Sequence, residues 1–208
     1  MRLTVFGASG PTGKRVVETA VDRGHAVTAV VTSTASVSRF SDSVRVVEAD
    51  VYEGTGVEAA IDGSTAVCNA PRYSKLTPAD YAAVGGEHIL DAMEAVGVNR
   101  YLTVVPATVQ VDGDRRGVLE SLAVSALRLI KPTVTADAAA HVEDVTGREL
   151  DWTVIRPLRL TAGKTTRQYK TGDIRLGVGS VSYGDVAAFL LDCCDRGIYV
   201  RMLPKIRT

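Results

Sequence analysis

The sequence predicts a doubly wound α/β fold, in which helices cover both faces of a parallel sheet. Three observations predict it. A short apolar run rich in strand formers, residues 3–6, precedes glycines at 7, 10 and 13, and a helical pattern follows directly. Strand-like and helix-like stretches then alternate along the chain with short connections. Connections of this kind join parallel strands by right-handed crossovers.

The glycine-rich turn at 7–13 has the spacing of a dinucleotide-binding loop. Gly7 allows a sharp turn after the strand, Gly10 leaves the backbone open to a pyrophosphate, and Gly13 lets the helix pack close to the sheet. The first amides of the helix that begins at Pro11 then face the phosphates, and the helix dipole favours their negative charge. The turn therefore predicts a dinucleotide site.

The composition indicates one globular domain, which we assign to residues 1–208. Of the 208 residues, 46% are hydrophobic and 23% are charged, which suffices for a sizeable core. Lys and Arg number 24, as do Asp and Glu, so the charge balance does not favour a nucleic-acid partner. A strand pattern directly follows Met1 and no apolar run has membrane-spanning length, so we expect neither a signal peptide nor a membrane partner.

The remaining elements follow from apolar periodicity and turn residues. Residues 16–21 give the first helix one apolar face, and Gly24 is placed to end it. Thr77 is a suitable N-cap, and Pro78 a suitable first residue, for a long third helix. We expect further strands at 25–32, 44–49, 65–70, 101–105, 152–155 and 198–203. We expect further helices at 56–62, 79–96, 118–130, 134–146 and 183–194, and a polar loop at 164–173.

The cysteines and two of the histidines are expected to have no catalytic role. Cys68, Cys193 and Cys194 fall in apolar stretches and are predicted to lie in or near the core, and two adjacent thiols argue against a disulfide framework and for a reducing cytoplasm. His25 is predicted to be a solvated turn residue and His88 a helix-surface residue. No histidine and cysteine have metal-ligand spacing.

The end of the second predicted strand bears on the cofactor. An acidic residue at this point binds the ribose 2′-hydroxyl of NAD, whereas a nearby arginine accommodates the 2′-phosphate of NADP. This chain has Thr32 and Ser33 there, with Arg39 further on and no carboxylate. The sequence therefore favours NADP(H) over NAD(H).

Ligands of such sheets lie across the carboxyl ends of the strands. The residues that follow the third and fourth predicted strands are therefore expected to face the ligand. They are Asp50, Val51, Asn69, Ala70 and Pro71.

Five segments carry a resemblance to a known family. They are GASGPTG at 7–13, EADV at 48–51, GVNRYLTVV at 97–105, LDWTVIRPLRL at 150–160 and GDVAAFLLDCC at 184–194. In these segments the chain is similar to the atypical short-chain dehydrogenase/reductase proteins, above all to the NmrA-like and flavin reductase/biliverdin reductase B group. The resemblance implies a Rossmann-like domain that binds NAD(P)(H), with a small substrate lobe formed mainly by about 157–208.

The resemblance also implies a role for particular residues. In the family pattern, the glycine loop holds the pyrophosphate, residues after the second strand face the adenosine ribose, and residues after the third face the adenine. The pyrophosphate residues are Ser9, Gly10, Pro11 and Thr12, and the ribose residues are Thr32, Ser33 and Arg39. Asp50 and Val51 would face the adenine, Asn69, Ala70 and Pro71 the nicotinamide side, and Pro157 with Leu158 would close the pocket.

The proton donor of the family is missing from this chain. Short-chain dehydrogenases use Tyr-x-x-x-Lys, in which the lysine lowers the pKa of the tyrosine, and no tyrosine here is followed by lysine four residues on. The candidate substitutes are His141, Thr108, Tyr73 and Tyr169. His141 titrates in a suitable range, although a half-exposed helix histidine is the preferred interpretation. Tyr169 is either a lid residue or an ordinary surface tyrosine.

The sequence thus leaves three functions open. The first is an NAD(P)H-dependent reductase of a small conjugated substrate, such as a flavin, quinone or enone, in which the cofactor carries the chemistry. The second is a non-catalytic dinucleotide sensor of the NmrA-like kind that acts through a protein partner. The third is a non-redox isomerase or cyclase on the same scaffold. We expect a small-molecule substrate and a monomer or homodimer.

Overall fold

The computed structural model describes residues 1–32, 40–72, 77–109, 111, 114, 121–122, 125–126, 132–175 and 179–208. The strands are β1 (Arg2–Phe6), β2 (Ala26–Val31), β3 (Arg45–Glu48), β4 (Ala66–Asn69), β5 (Arg100–Val104), β6 (Asp151–Pro157), β7 (Leu160–Thr161), β8 (Lys170–Gly172), β9 (Val181–Ser182) and β10 (Lys205–Arg207). The helices are α1 (Pro11–Asp22), α2 (Val57–Ile61), α3 (Tyr81–Val96), α4 (Pro132–Gly147) and α5 (Tyr183–Arg196).

An eight-stranded sheet forms the centre of the fold, with the order β3-β2-β1-β4-β5-β6-β10-β8. All neighbours pair in parallel except β8, which runs antiparallel to β10 at one edge. The chain leaves β1 toward β2 on one side and returns to β4 on the other. The strand order therefore reverses at β1, the place where doubly wound sheets bind ligands. The predicted Rossmann-like fold is confirmed.

Helices cover both faces of the sheet because the strand side chains alternate. Leu3 and Val5 of β1 face α1 and α5, which pack against each other. Phe6 of β1 and Val67 of β4 face the other layer, where α3 packs against α2 and α4. Most of these strand residues are fully buried, as expected for a parallel sheet covered on both sides.

Helix α3 begins later than the sequence predicts. Its N-cap is Asp80, and Thr77 and Pro78 precede the helix. The capping partner comes from another element: the buried Asp137 carboxylate of α4 accepts hydrogen bonds from the amides of Ala82 (2.9 Å) and Ala83 (2.8 Å). A contact between two helices therefore replaces the local cap predicted at residue 77.

The C-terminal edge of the sheet also differs from the prediction. Residues 198–203 are not a strand, because Tyr199 (φ 56°) and Arg201 (φ 55°) adopt left-handed backbone conformations that interrupt an extended chain. The last strand is β10, whose Ile206 is buried between β6 and β8. The polar stretch predicted as a loop contains β8, which forms through pairing with β10.

Two histidines contact other groups rather than solvent alone. His25 is not a solvated turn residue, because its Nε2 lies 3.0 Å from Asp195 and its Nδ1 lies 3.2 Å from the terminal amine of Met1. The Nδ1 of His88, on the partly buried side of α3, lies 2.8 Å from the Val51 carbonyl oxygen. The prediction for His25 was wrong because it ignored contacts with distant segments. His88 lies on α3 with a half-buried side chain, which agrees with a residue at the helix surface.

The three cysteines are buried free thiols, as predicted: Cys68 on β4, and Cys193 and Cys194 on α5. Burial raises the pKa of Cys194 to about 11, so this thiol is protonated at neutral pH. In the part of the chain that the structure describes, no helix is long and apolar enough to cross a membrane. Most of the predicted helix 118–130 lies outside the described residues, as do Ser33, Arg39 and Tyr73.

Candidate functional site

Two glycines of the loop are required by direct backbone contacts. Gly7 has a φ of 68°, and a Cβ at this position would overlap the Ala70 carbonyl. A Cβ on Gly13 would overlap the Gly7 carbonyl, so the first turn of α1 lies directly against the loop. The sharp turn predicted at Gly7 and the close packing predicted at Gly13 are both confirmed.

The N-terminus of α1 opens toward the carboxyl edge of the sheet. Gly10 is the N-cap and provides no capping side chain, and Pro11 occupies the first helical position. The Lys14 amide donates to the Gly10 carbonyl at 2.9 Å, whereas the amides of Thr12 and Gly13 have no carbonyl one turn earlier in the helix. These amides and the helix dipole form an anion-binding cradle.

The absence of a side chain at Gly10 keeps this cradle open. A Cβ on Gly10 would lie 3.2 Å from the Gly7 carbonyl oxygen and 3.5 Å from the Arg72 Cβ. It would narrow the space between the glycine loop and Arg72. The loop therefore fits a pyrophosphate group between helix amides and a cation.

A cavity of about 390 Å³ extends from the glycine loop to the carboxyl ends of β2 and β3. This volume lies in the range of small-molecule and cofactor sites. Apolar side chains form much of its wall, and the polar side chains are those of Ser9, Thr32, Arg72 and Tyr81. The lining residues are Phe6, Gly7, Ser9, Gly10, Val30, Val31, Thr32, Ala49, Val51, Arg72 and Tyr81.

Two polar lining residues were missed by the sequence reasoning, as were the apolar Phe6, Val30, Val31 and Ala49. Arg72 follows the β4 end by three residues, is exposed, and is the only basic residue among the described lining residues. Tyr81, the first residue of α3, lies at the boundary between this cavity and a smaller recess. The available signals were an arginine just after a predicted strand end and an aromatic residue at the start of the next helix.

Tyr81 belongs to an aromatic pair at the rim of the cavity. Its ring stacks on that of Tyr52 with centroids 6.3 Å apart and an angle of 12° between the planes. The Tyr52 hydroxyl donates to Asp80 at 3.1 Å. Burial and, to a smaller extent, the Asp50 carboxylate raise the pKa of Tyr81, which keeps its hydroxyl protonated at neutral pH.

The residues after β3 divide into a lining residue and a turn-forming residue. Val51 lines both cavities. One Asp50 carboxylate oxygen accepts hydrogen bonds from the amides of Tyr52 (2.9 Å) and Glu53 (3.3 Å). This Asx-type turn shapes the loop that carries Val51. Asp50 itself is exposed and is not among the described lining residues of the large cavity.

A recess of about 20 Å³ continues from the large cavity toward α3. Asn69 and Pro71 line it together with Gly7 and small residues of α3. Ala70 contacts the loop through its carbonyl, which lies against Gly7. The segment after β4 therefore lies beside the glycine loop at the carboxyl ends of the strands.

His141 is fully buried, so its preferred interpretation as a half-exposed residue was wrong. Its Nε2 lies 3.3 Å from the Tyr101 hydroxyl and 3.4 Å from the Thr103 hydroxyl. Burial lowers the pKa of His141 to about 4, against a smaller opposing effect of Asp144. The imidazole is therefore neutral at pH 7 and does not supply a proton readily.

The other described candidates for proton donation are engaged elsewhere. Thr108 is buried, and its hydroxyl accepts a hydrogen bond from Thr135 at 3.2 Å. The Tyr169 hydroxyl donates to Asp192 at 3.0 Å, and its ring packs on Phe189 of α5. Burial and then the hydrogen bond to Asp192 raise the pKa of Tyr169. The described lining of the large cavity includes none of His141, Thr108 and Tyr169.

Pro157 is the last residue of β6. Its carbonyl accepts a hydrogen bond from the Ala107 amide at 3.0 Å, and the residue is buried. The preceding Arg156 forms two 2.8 Å hydrogen bonds with the Asp114 carboxylate, and two of its nitrogens contact the Leu203 carbonyl. The Arg-Pro end of β6 therefore ties the loop after β5 to the C-terminal segment.

Sheet topology, glycine loop and cavity together define a Rossmann-type fold with a candidate dinucleotide site. The sequence model of the NAD(P)H-binding family matches residues 7–196. The chain belongs to this family.

One relative is similar to this chain in sequence. An uncharacterized chloroplastic protein of Arabidopsis thaliana is 30% identical over 165 residues, which are 75% of this chain and 58% of that protein. The chain thus spans less than two thirds of that relative's length.

Solved structures resemble the whole chain at low sequence identity. An oxidoreductase of Lactococcus lactis has a TM-score of 0.82 at 18% identity, over 100% of this chain and 91% of that one. A wide-type short-chain dehydrogenase/reductase of Veillonella parvula, solved with NADP, also has a TM-score of 0.82, at 14% identity, over 100% and 94%. A candidate epimerase of Bacteroides thetaiotaomicron has a TM-score of 0.82 at 24% identity, over 99% and 96%. These likenesses establish the fold.

Proposed function

We propose that this protein is an NAD(P)H-dependent reductase of a small conjugated substrate. The observation that carries the proposal is the continuous path from the α1 amide cradle, past Gly10 and Arg72, into the large cavity. A dinucleotide has an anionic centre and a flat adenosine end, and the path offers a cationic cradle followed by a partly apolar cavity.

Each part of the cofactor has proposed contacts in the chain. Ser9, Gly10, Pro11 and Thr12, together with Arg72, would hold the pyrophosphate. Thr32, Ser33 and Arg39 would face the adenosine ribose. Val51 and Tyr81 would face the adenine, and Asp50, predicted to do so as well, would instead shape the turn that carries Val51. Asn69, Ala70 and Pro71 would face the nicotinamide half, with Pro157 beyond them.

We favour NADP(H) over NAD(H). Thr32 at the end of β2 lines the cavity and leaves room for a phosphate where an acidic residue would repel it. Arg72 adds a positive charge to the lining of the same cavity. A competition between NADPH and NADH, repeated with Arg39→Ala, tests this preference.

A bound nicotinamide cofactor supplies a hydride. The chain binds and orients the reactants and excludes water. Since His141 is neutral and buried, and the hydroxyls of Thr108 and Tyr169 have other partners, no strong acid among these three faces the cavity. This favours flavins, quinones and enones, because their reduced forms carry the added electrons in a delocalised system and take a proton from solvent.

The burial of His141 and the hydrogen-bond partners of Thr108 and Tyr169 also favour a second candidate function. A non-catalytic sensor of the NmrA-like kind needs the same cofactor site and no proton donor. It would bind oxidised and reduced cofactor with different affinities and turn over no flavin, quinone or enone. An isomerase or cyclase would instead retain turnover without net consumption of cofactor.

The proposal extends to the substrate side and to the assembly. We assign residues 1–208 to one domain, with a substrate lobe from about 157–208. A groove of about 310 Å³ between the first turn of α1 and residues 162–163 and 183–184 supports this lobe. We propose a monomer or homodimer that acts on a small molecule and not on nucleic acid, in a reducing cytoplasm that suits three buried free thiols.

Gly10→Val tests the cofactor site. The added side chain would enter the cradle, and we expect binding of NADPH and NADH to be abolished. Gly147→Val is the matched control, because a Cβ at residue 147 meets nothing within 4 Å. Unchanged affinity in the Gly10 variant, measured by nicotinamide fluorescence, would contradict the proposed site.

A further inference from the structure

A chain of polar side chains lies in the apolar layer beneath the end of β4. Tyr101, Thr103 and His141 are 0% exposed and Asn69 is 5% exposed. The Asn69 amide nitrogen donates to the Tyr101 hydroxyl at 2.9 Å, and the His141 Nε2 lies 3.3 Å from that hydroxyl and 3.4 Å from Thr103. Apolar residues of similar size would fill this space without the cost of burying polar groups. The polar chain therefore needs an explanation other than packing.

The hydrogen bond to Tyr101 gives the Asn69 side chain one orientation. Its amide nitrogen points inward to Tyr101, so its carbonyl oxygen is the polar atom directed elsewhere. Asn69 lines the recess beside Gly7 and Pro71. In this orientation the carbonyl oxygen is the end of the carboxamide that is left to face the recess.

His141 is held in place by an unusually close helix contact. A Cβ on Gly86 of α3 would overlap the imidazole, so the ring lies directly against the helix backbone. Among the described residues, the buried Nδ1 of His141 has no hydrogen-bond partner. A buried polar group left unpaired destabilises a fold. The ring nitrogen that contacts the polar chain is Nε2, which faces Tyr101 and Thr103.

The strand order indicates which half of a bound dinucleotide lies over this chain of polar side chains. The large cavity runs from the glycine loop over β2 and β3 and suits the adenosine half. The other half must then extend over β4 and β5, where Asn69 pairs in register with Thr103. Asn69 lies at the carboxyl end of β4, where ligands of such sheets bind.

We propose that Tyr101 and His141 are positioning residues that hold the Asn69 carbonyl oxygen ready to accept a hydrogen bond from the nicotinamide half of the cofactor. The proposal rests on the proposed function. It assigns to Asn69 a binding contact, and to Tyr101 and His141 an effect that acts through Asn69.

The test compares a whole cofactor with its adenosine half in Tyr101→Phe. We expect the dissociation constant for NADPH to rise about tenfold, the effect of losing one well-placed hydrogen bond, and that for 2′,5′-ADP to stay within about twofold. Asn69→Leu should give the same split, and serves if the Tyr101 variant fails to fold. Tyr199→Phe is the matched control, because its hydroxyl contacts Thr171 away from the recess.

Each outcome decides a different claim. Equal weakening of both ligands, or no weakening of either, would overturn the positioning role, since a purely structural effect does not distinguish the two halves. A wild-type protein that binds neither ligand would contradict the proposed function, and with it the inference that rests on it.

Discussion

Gly86 and His141 pack so closely that residue 86 has no room for a side chain. The imidazole lies where a Cβ would project, and both residues are buried at the contact between α3 and α4. This contact fixes α4 beneath the end of β4. It also removes His141 from solvent, and that burial determines its charge.

Gly86→Ala should therefore destabilise the protein. Overpacking of this kind typically costs about 1–3 kcal/mol, which outweighs the higher helix propensity of alanine. Urea unfolding measures the change. Gly147→Ala is the control, because it adds a methyl to open space and should be neutral or slightly stabilising. If the Gly86 variant and the wild type have the same free energy of unfolding, α3 and α4 can move apart to accommodate the methyl group at no cost in stability.

The burial of His141 predicts a loss of stability on acidification. Its pKa is about 4 in the folded chain and about 6.5 in the unfolded chain, so between these values only the unfolded chain binds the proton. The free energy of unfolding should fall as the pH decreases from 6.5 to 4, by up to about 3 kcal/mol, and this contribution should change little below pH 4. Denaturant unfolding across this range measures it.

The comparison that isolates His141 uses His141→Gln. This variant will be less stable, but its free energy of unfolding should depend less on pH between 4 and 6.5. If the two proteins show parallel pH dependences, His141 does not carry the effect.

Arg72 should contribute to cofactor affinity through its charge. Arg72→Met should weaken NADPH binding about tenfold or more, and the loss should shrink at high salt, because the lost contact is electrostatic. Fluorescence titration at two salt concentrations measures both effects. Arg201→Met, which removes an arginine far from the cavity, should leave affinity unchanged. A salt-independent loss would indicate a packing role for Arg72.

Asp137 should stabilise the fold by capping α3. Asp137→Ala leaves the amides of Ala82 and Ala83 without their buried acceptor, which costs about 1–3 kcal/mol. Thermal or urea unfolding measures this cost, with Asp62→Ala as a control at an exposed carboxylate. An unchanged unfolding midpoint would mean that solvent replaces the cap.

The first part of the fold could be predicted because its signal is local: an apolar run, three glycines at fixed spacing and the start of a helical pattern lie within residues 2–13. The backbone contact that requires glycine at residue 7 is with Ala70, and the sequence does not show it. The edge strands could not be predicted in the same way. β8 has a polar sequence and forms only through β10, while Tyr199 and Arg201 break the run that looked like a strand.

The site was predicted in part for the same reason. The loop residues and Val51 follow strand ends and were found by position. Arg72 and Tyr81 reach the cavity through the path of the chain after β4, which sequence spacing does not fix. The burial of His141 depends on Gly86, a residue 55 positions earlier, and α4 is too rich in small residues to show a clear buried face.

The most direct test of the central claim is a titration of the purified protein with NADPH and with NADH, in which nicotinamide fluorescence reports binding. Flavins, quinones and enones are then added, and consumption of the reduced cofactor is measured. We expect tight binding, with NADPH preferred, and consumption of the reduced cofactor by at least one acceptor. Binding without consumption would support the sensor instead. No binding of either nucleotide would contradict the account of the glycine loop and its cavity as a cofactor site.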